Sequence, residues 1–311
     1  MSAGADTRRA LEPVIAALNG IVLGKDRQVR LALACLLARG HLLIEDLPGV
    51  GKTTLAQSLA RVLGLTYQRV QFTSDLLPAD VVGVSVYDRE HGRFEFHKGP
   101  VFAQLLLADE INRATPKAQS ALLEAMEERQ VTVDGQTHPL PEPFFVVATQ
   151  NPSYQLGTYP LPESQLDRFL MRIELGYPSA TLERELLKGA DRRALLAALE
   201  PRLPAAQLLE LQRHVAGVHV AEPLLDYVQA LVRYTRDSGL FDAGLSPRAA
   251  IALLRAAQAW ALLNGRAGVL PEDVQAVLKP VASHRLERRA AIAGEVAADL
   301  EQLLLGAVPV P

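Results

Sequence analysis

Asp46-Leu47-Pro48-Gly49-Val50-Gly51-Lys52-Thr53 stands between an apolar run, His41–Glu45, and a helical segment that begins at Thr54. That placement decides the fold. A strand that ends in a glycine-rich turn and opens a helix is the Walker A arrangement, G-x-x-x-x-G-K-[ST]. Gly49 and Gly51 let the backbone wrap close to a phosphate, with successive N–H groups pointing inward. The helix N-terminus adds positive potential. Lys52 is placed for the β- and γ-phosphates and the Thr53 hydroxyl for Mg²⁺. Pro48, Val50 and Thr54 complete the stretch expected to line the nucleotide. Asp46 stands where the pattern has its first glycine. A carboxylate facing phosphates would repel them, so Asp46 is expected to turn away. The plain alternative, a turn that binds nothing, fits poorly with Gly-Lys-Thr in this strand–loop–helix setting.

Outward from the loop, five segments read as strands: His41–Glu45, Thr66–Phe72, Leu105–Asp109, Phe144–Gln150 and Met171–Leu175. Three are nearly continuous apolar runs, as in a parallel sheet covered on both faces. Thr54–Leu63 and Pro116–Arg129 read as helices between them, the second with Thr115 as N-cap and Pro116 at its first position. The alternation predicts an α/β domain. Two segments interrupt it. Val84–Asp88 and Arg93–His97 alternate apolar and polar residues, and Val131–Val133 and Gln136–His138 flank the hairpin signal Asp134-Gly135. Both predict inserted β-hairpins, at about 79–100 and 130–140, serving as contact devices or as surface decoration.

Beyond Tyr177-Pro178 the character changes. Leu224, Tyr227, Val228, Leu231 and Tyr234 follow helical spacing, as do Ala250, Leu253, Leu254, Ala257 and Ala261. Segments from Pro271 and near Arg285 are also expected to be helical. The chain is expected to divide into an α/β core, 1–178, and a small all-helical domain, 179–311, and its 311 residues suit two domains.

A second group of residues carries chemistry. Leu105-Leu106-Leu107-Ala108-Asp109-Glu110 is an apolar strand ending in two carboxylates. In a parallel sheet the carboxyl ends of the strands face the ligand crevice. Asp109 is placed to hold Mg²⁺ through water and Glu110 to polarise the attacking water as general base. Asn151, at the tip of the Phe144–Gln150 strand, would bond the γ-phosphate or the water, or else form a turn before Pro152. Arg168 and Arg248 could stabilise phosphate charge, or could be surface arginines.

Composition narrows the classes. Apolar residues make up 49% and charged residues 22%, which excludes collagen-like and disordered chains. The net charge of −3 gives no global attraction to nucleic acid or anionic lipid. A lone Cys35, in the apolar run Leu31–Ala38, excludes an intrachain disulfide and reads as a core thiol. With no signal-peptide pattern and no apolar run long enough to span a membrane, a cytoplasmic location without stable membrane insertion is expected.

In this order and spacing, Walker A, Asp109-Glu110, Asn151, Arg168 and Arg248 resemble an AAA+ ATPase, a P-loop NTPase. Four stretches resemble the MoxR family in particular: Gln71–Pro78, Asp109-Glu110-Ile111-Asn112-Arg113, Ala148-Thr149-Gln150-Asn151-Pro152, and Gly157–Glu163 running into Asp167-Arg168-Phe169. The hairpins fall where this clade carries its inserts. The resemblance implies a three-layer core with a five-stranded parallel sheet and a helical lid. It implies ATP and Mg²⁺ as cofactors, Thr53 and Asp109 as metal ligands, and ATP bound between core and lid. It implies Asn151 as sensor 1, Arg168 as an arginine finger acting on a neighbouring subunit, and Arg248 as sensor 2. It places Val22 and Gly24 against adenine. It further implies a homo-oligomeric ring, typically a hexamer, acting as a chaperone-like remodeller of protein clients, von Willebrand factor A domain proteins among them. A chelatase-type or DNA-acting AAA+ motor subunit is the alternative. A non-ring P-loop enzyme and a non-hydrolysing scaffold are weaker, the latter because Glu110 and Arg168 are both present.

Overall fold

The computed structural model describes residues 3–151, 158–188, 192–289 and 299–310. In chain order its elements are α1 (Ala3–Ile21), α2 (Asp26–Leu37), β1 (Leu42–Glu45), α3 (Lys52–Val62), β2 (Tyr67–Gln71), α4 (Pro78–Val82), β3 (Gly83–Asp88), β4 (Arg93–Lys98), β5 (Leu105–Asp109), α5 (Pro116–Glu128), β6 (Gln130–Val133), β7 (Gln136–Pro139), β8 (Phe145–Gln150), α6 (Glu163–Leu166) and β9 (Met171–Ile173). There follow α7 (Ala180–Lys188), α8 (Arg192–Ala197), α9 (Ala205–Val215), α10 (Glu222–Asp237), α11 (Pro247–Leu263), α12 (Pro271–Ala282) and α13 (Leu300–Ala307).

The five core strands form one parallel sheet in the order β2-β5-β8-β1-β9. Alternate residues of each strand face opposite sides. Leu42 and Ile44 of β1 join the apolar layer formed with α1, α2, α3 and the C-terminal helices, while Leu43 joins the layer under α5. Both faces of the central strands β5, β8 and β1 are thus buried, which is why these three are nearly continuous apolar runs, whereas the edge strand β2 exposes Gln68, Arg69 and Gln71. The order has a direct consequence for the site. β8 lies between β1 and β5, so Asn151 emerges between the Walker A loop and Asp109-Glu110.

Both hairpins form. Asp134 and Gly135 have φ of +50° and +77°, the two positive values a tight two-residue turn needs. The hairpins meet through Phe96 and His138, whose rings stack with centroids 4.1 Å apart. Tyr87 and Phe94 lie exposed on the β3–β4 hairpin. Thr115 occupies the N-cap of α5, but its side chain makes no capping bond.

The C-terminal part is helical, and α11 packs against both α12 and α2. The helix expected near Arg285 does not form there. The chain leaves α12 at Ala282, turns through Ser283–Arg285 and pairs Arg288 with Phe241 in an isolated bridge. Residues 290–298 lie outside the described residues. The helices α1 and α2 bury Leu11, Val14, Ile15 and Leu18 and the whole run from Leu31 to Leu37. Cys35 is fully buried in that run.

Candidate active site

The glycines of the loop hold the conformations the sequence required. Gly49 and Gly51 have φ of +84° and +99°, values that side chains rarely adopt, and no heavy atom lies within 4 Å of a Cβ built on either. The loop is therefore both left-handed and open on that side. The first bond of α3 runs from Leu55 N to Gly51 O at 3.0 Å. Helix geometry leaves the amides of Lys52, Thr53 and Thr54 without carbonyls of their own, so they can meet an anion.

Lys52 is buried, and its Nζ donates to Asp46 O at 2.6 Å, Gln150 O at 3.4 Å and Asn151 Oδ1 at 3.3 Å. Burial pulls its pKa down from the usual lysine value, against the opposing pull of Asp46, Asp109, Glu110 and Glu45. The ammonium is thus already placed over the loop.

The Asp46 carboxylate faces away from the loop interior. Its Oδ2 accepts from Leu175 N at 2.7 Å and Gly176 N at 2.6 Å, and its Oδ1 accepts from Leu47 N at 2.7 Å. It fastens the start of the loop to the segment leaving β9 for α7. On the same side, Lys25 Nζ donates to Tyr177 O, and a Cβ on Gly24 would run into Leu182. Val22 is buried in the core beside it.

Asp109 and Glu110 close the other wall. Asp109 accepts from Thr149 Oγ1 at 2.5 Å and forms an ion pair with Arg69 at 2.7 Å. Glu110 is held in the left-handed region (φ +55°, ψ +49°), which is costly for a residue with a Cβ and aims the carboxylate. Its Oε1 accepts from Asn151 Nδ2 at 3.2 Å, and its Oε2 accepts from Gln71 and Arg113 at 3.0 and 2.9 Å. Gln71 and Arg113 were not identified from sequence as partners of Glu110. Gln71 ends β2, opposite Asp109, and it is the register of the sheet that brings it beside Glu110. Asn112, buried, donates to Asn151 O at 3.1 Å and holds the tip of β8 against the end of β5. Lys52, Asn151 and Glu110 therefore form one hydrogen-bonded chain. Pro152 and Gly157 lie outside the described residues.

The donor set fits a magnesium–nucleotide complex. The Thr53 hydroxyl and the Asp109 carboxylate are hard oxygen donors of the type Mg²⁺ takes. Arg69 and Thr149 occupy part of the Asp109 carboxylate, whose oxygens offer about four acceptor directions.

Arg168 and Arg248 are elsewhere. Arg168 Nε lies 3.1 Å from Glu127 Oε2 and Arg248 Nη1 lies 2.9 Å from Glu127 Oε1. Arg248 is also 3.8 Å from Asp167. With Arg39, Arg129, Arg255 and Arg285 they line a cavity of about 530 Å³ that includes Gly40 and His41. Those two residues precede β1, whereas Asp46 follows it. The loop and the arginine pair thus occupy opposite ends of β1, separated by a strand of about 13 Å. The structure joins Lys52, Asp109, Glu110 and Asn151 at one pole and Arg168 and Arg248 at the other. It does not bring Arg248 to this chain's own loop.

Two family models match the chain: the ATPase family associated with various cellular activities (AAA) over residues 41–171, and an AAA lid domain over residues 233–303. The chain is 45% identical to protein YeaC of Bacillus subtilis over 308 residues, covering 98% of this chain and 96% of that one. It is 45% identical to Chaperone MoxR1 of Mycobacterium tuberculosis (89% of this chain, 75% of that one) and 39% identical to Protein MoxR of Paracoccus denitrificans (87% and 86%). A crystal structure from Cytophaga hutchinsonii superposes with a TM-score of 0.89 at 36% identity, covering 99% of this chain and 97% of that one.

Proposed function

Because the chain belongs to the MoxR family of AAA+ ATPases and is an ATP hydrolase, we propose that it works as a ring of identical subunits, each catalytic centre built from two chains. The observation that carries this reading is the separation of Lys52, Glu110 and Asn151 from Arg168 and Arg248 by the length of β1. One chain cannot present both groups to one nucleotide. A neighbour can.

In this reading the amides of Lys52 to Thr54 and the Lys52 ammonium hold the phosphates. Val22 and Gly24 flank the adenine side. Thr53 and Asp109 are the residues that would hold Mg²⁺, which when bound neutralises the charge developing on the phosphates. Glu110 takes the proton of the attacking water, oriented by Asn151, which also contacts Lys52. Arg168, as a finger, and Arg248, as sensor 2, reach the γ-phosphate of the adjoining chain. We place the division between core and lid at Pro178, just beyond the amides held by Asp46.

The ring, with six subunits as the reading's expected size, would couple hydrolysis to remodelling of protein clients. One relative named a chaperone supports that use, and the resemblance noted above extends it to clients with von Willebrand factor A domains. The net charge of −3 favours a protein client over a nucleic-acid track.

The test is turnover per subunit against protein concentration, read beside sedimentation with ATP. Specific activity should rise steeply with concentration as the assembly forms, and constant activity in a monomer would overturn the shared centre. A von Willebrand factor A domain protein should bind in ATP and be released in ADP. Equal binding in both would remove the coupling.

A further inference from the structure

Arg285 follows α12 in the helical part and is nearly inaccessible, with a side chain only 5% exposed. Nothing in the nucleotide chemistry above uses it. Its guanidinium nonetheless commits every branch to one short segment and to the end of the helix that precedes it. Nε donates to Asp167 Oδ1 at 2.6 Å, Nη2 to Asp167 O at 3.1 Å and to Phe169 O at 2.6 Å, and Nη1 to Leu170 O at 3.2 Å and to Val281 O. Buried His284 adds a bond from Nε2 to Phe169 O at 3.0 Å. The residues so gripped flank Arg168 on both sides. The far end of Arg168 is held by Glu127, which also holds Arg248 at the start of α11.

We propose that Arg285 is the positioning residue that locks the Arg168 segment to the helical domain, so that Arg168 and Arg248 are delivered to the adjoining chain's nucleotide as one rigid unit. This rests on the reading that Arg168 acts in the neighbouring centre. The physical case is the fork. A planar guanidinium presents five N–H donors in fixed directions, and here carbonyls on both sides of Arg168 and one carboxylate take them up. A buried arginine with all its donors satisfied fixes backbone rather than adding a loose surface charge. Any tilt of α12 is therefore passed to the backbone on either side of Arg168.

Arg285→Lys tests the lock, because a lysine keeps the charge but has three donors at one point. A misplacement on the order of 1 Å can cost about 100-fold in rate. The variant should lose turnover on that scale while its own nucleotide dissociation constant stays within a factor of about two. The decisive step is mixing. A Lys52→Ala chain has no working loop but an intact Arg168 unit. Mixed with Arg285→Lys, it should raise turnover well above the sum of the two alone, because the intact loop of one variant meets the intact arginines of the other. Arg168→Ala mixed with Lys52→Ala serves as the reference.

Near-normal turnover in Arg285→Lys overturns the proposal. So does a loss that Lys52→Ala fails to rescue while Arg168→Ala is rescued, for then Arg285 serves its own chain's site. If neither pair is rescued, the shared centre itself fails and the proposal falls with it. Should Arg285→Lys lack a cooperative melting transition, Asp167→Asn, which removes the charge facing Nε, carries the same mixing test.

Discussion

Arg168 and Arg248 meet on one carboxylate: the two oxygens of Glu127 hold the two guanidiniums at 3.1 and 2.9 Å. The first arginine belongs to the segment leading into β9 and the second to the start of α11. Their shared partner makes a single electropositive pair out of two distant parts of the chain.

Arg168→Ala should keep nucleotide binding in its own loop and lose turnover by about 10³–10⁵-fold, the range for removing an arginine that stabilises a transferring phosphoryl group. Arg248→Ala should show the same split with a smaller loss. Nucleotide titration read beside phosphate release measures both. Turnover at the normal rate in Arg168→Ala would end its assignment.

Glu110→Gln keeps the size of the side chain and its contacts with Asn151, Gln71 and Arg113 within reach, but it removes the proposed base. Turnover should fall by about 10²–10⁴-fold with ATP still bound. Single-turnover hydrolysis, with retained nucleotide measured after gel filtration, is the check. Rapid hydrolysis would assign the proton to another group.

Asp46→Gly restores the consensus residue and yet should harm the protein. It leaves the amides of Leu175, Gly176 and Leu47 without their carboxylate. Charge-assisted bonds of this kind are worth about 1.5–3 kcal/mol, so a loss of about 2 kcal/mol is expected. Urea unfolding measures it. An unchanged midpoint would mean that the fastening at the loop start carries no stability.

His41 makes stability depend on pH. Burial lowers its pKa from the ordinary 6.5 to about 4, with Arg129 pushing the same way and the bond to the Met126 carbonyl opposing. The ring is neutral when folded, with Nδ1 accepting from Val146 N at 3.0 Å. The folded value lies below the unfolded one. As pH falls through 6.5 the unfolded chain therefore takes up a proton that the folded chain refuses until about 4. Stability should decline across that window by about 3 kcal/mol from this group. His284, lowered well below its usual value by burial and by Arg285, adds in the same direction. Urea midpoints at pH 7 and pH 4.5 should differ less in His41→Gln than in the wild type. An equal difference would exclude His41 as a source.

Each of the five segments expected from sequence overlaps a strand of the sheet, and the three central ones were the most legible because burial on both faces leaves a nearly uninterrupted apolar trace. The hairpin turns were legible because positive φ at Asp134 and Gly135 selects those residue types. The helix α1 carried its own signal, Leu11, Val14, Ile15 and Leu18 at helical spacing, which a reading that starts from the loop does not reach. Gln71, Arg113 and Glu127 could not be read, because their roles arise only when the register of the sheet and the docking of α11 set them beside Glu110, Arg168 and Arg248. Arg285 is further from view still. Most of its partners are backbone carbonyls, which every sequence has and none advertises. The place of Arg248 follows from the same docking: its position at the head of a helix was visible, but not which end of β1 that helix would meet.

The two ends of β1 have a last consequence, one of counting. In the proposed ring, a chain that bears its loop at one pole and its arginines at the other would join others head to tail, each copy finishing the centre of the next. An open row then always completes one centre fewer than it has chains, with a bare loop at one end and idle arginines at the other. Closing the row adds no chain and still gains a centre. Catalytic capacity would thus report whether the circle is shut, and a client that pries it open would slow the machine that is acting on it.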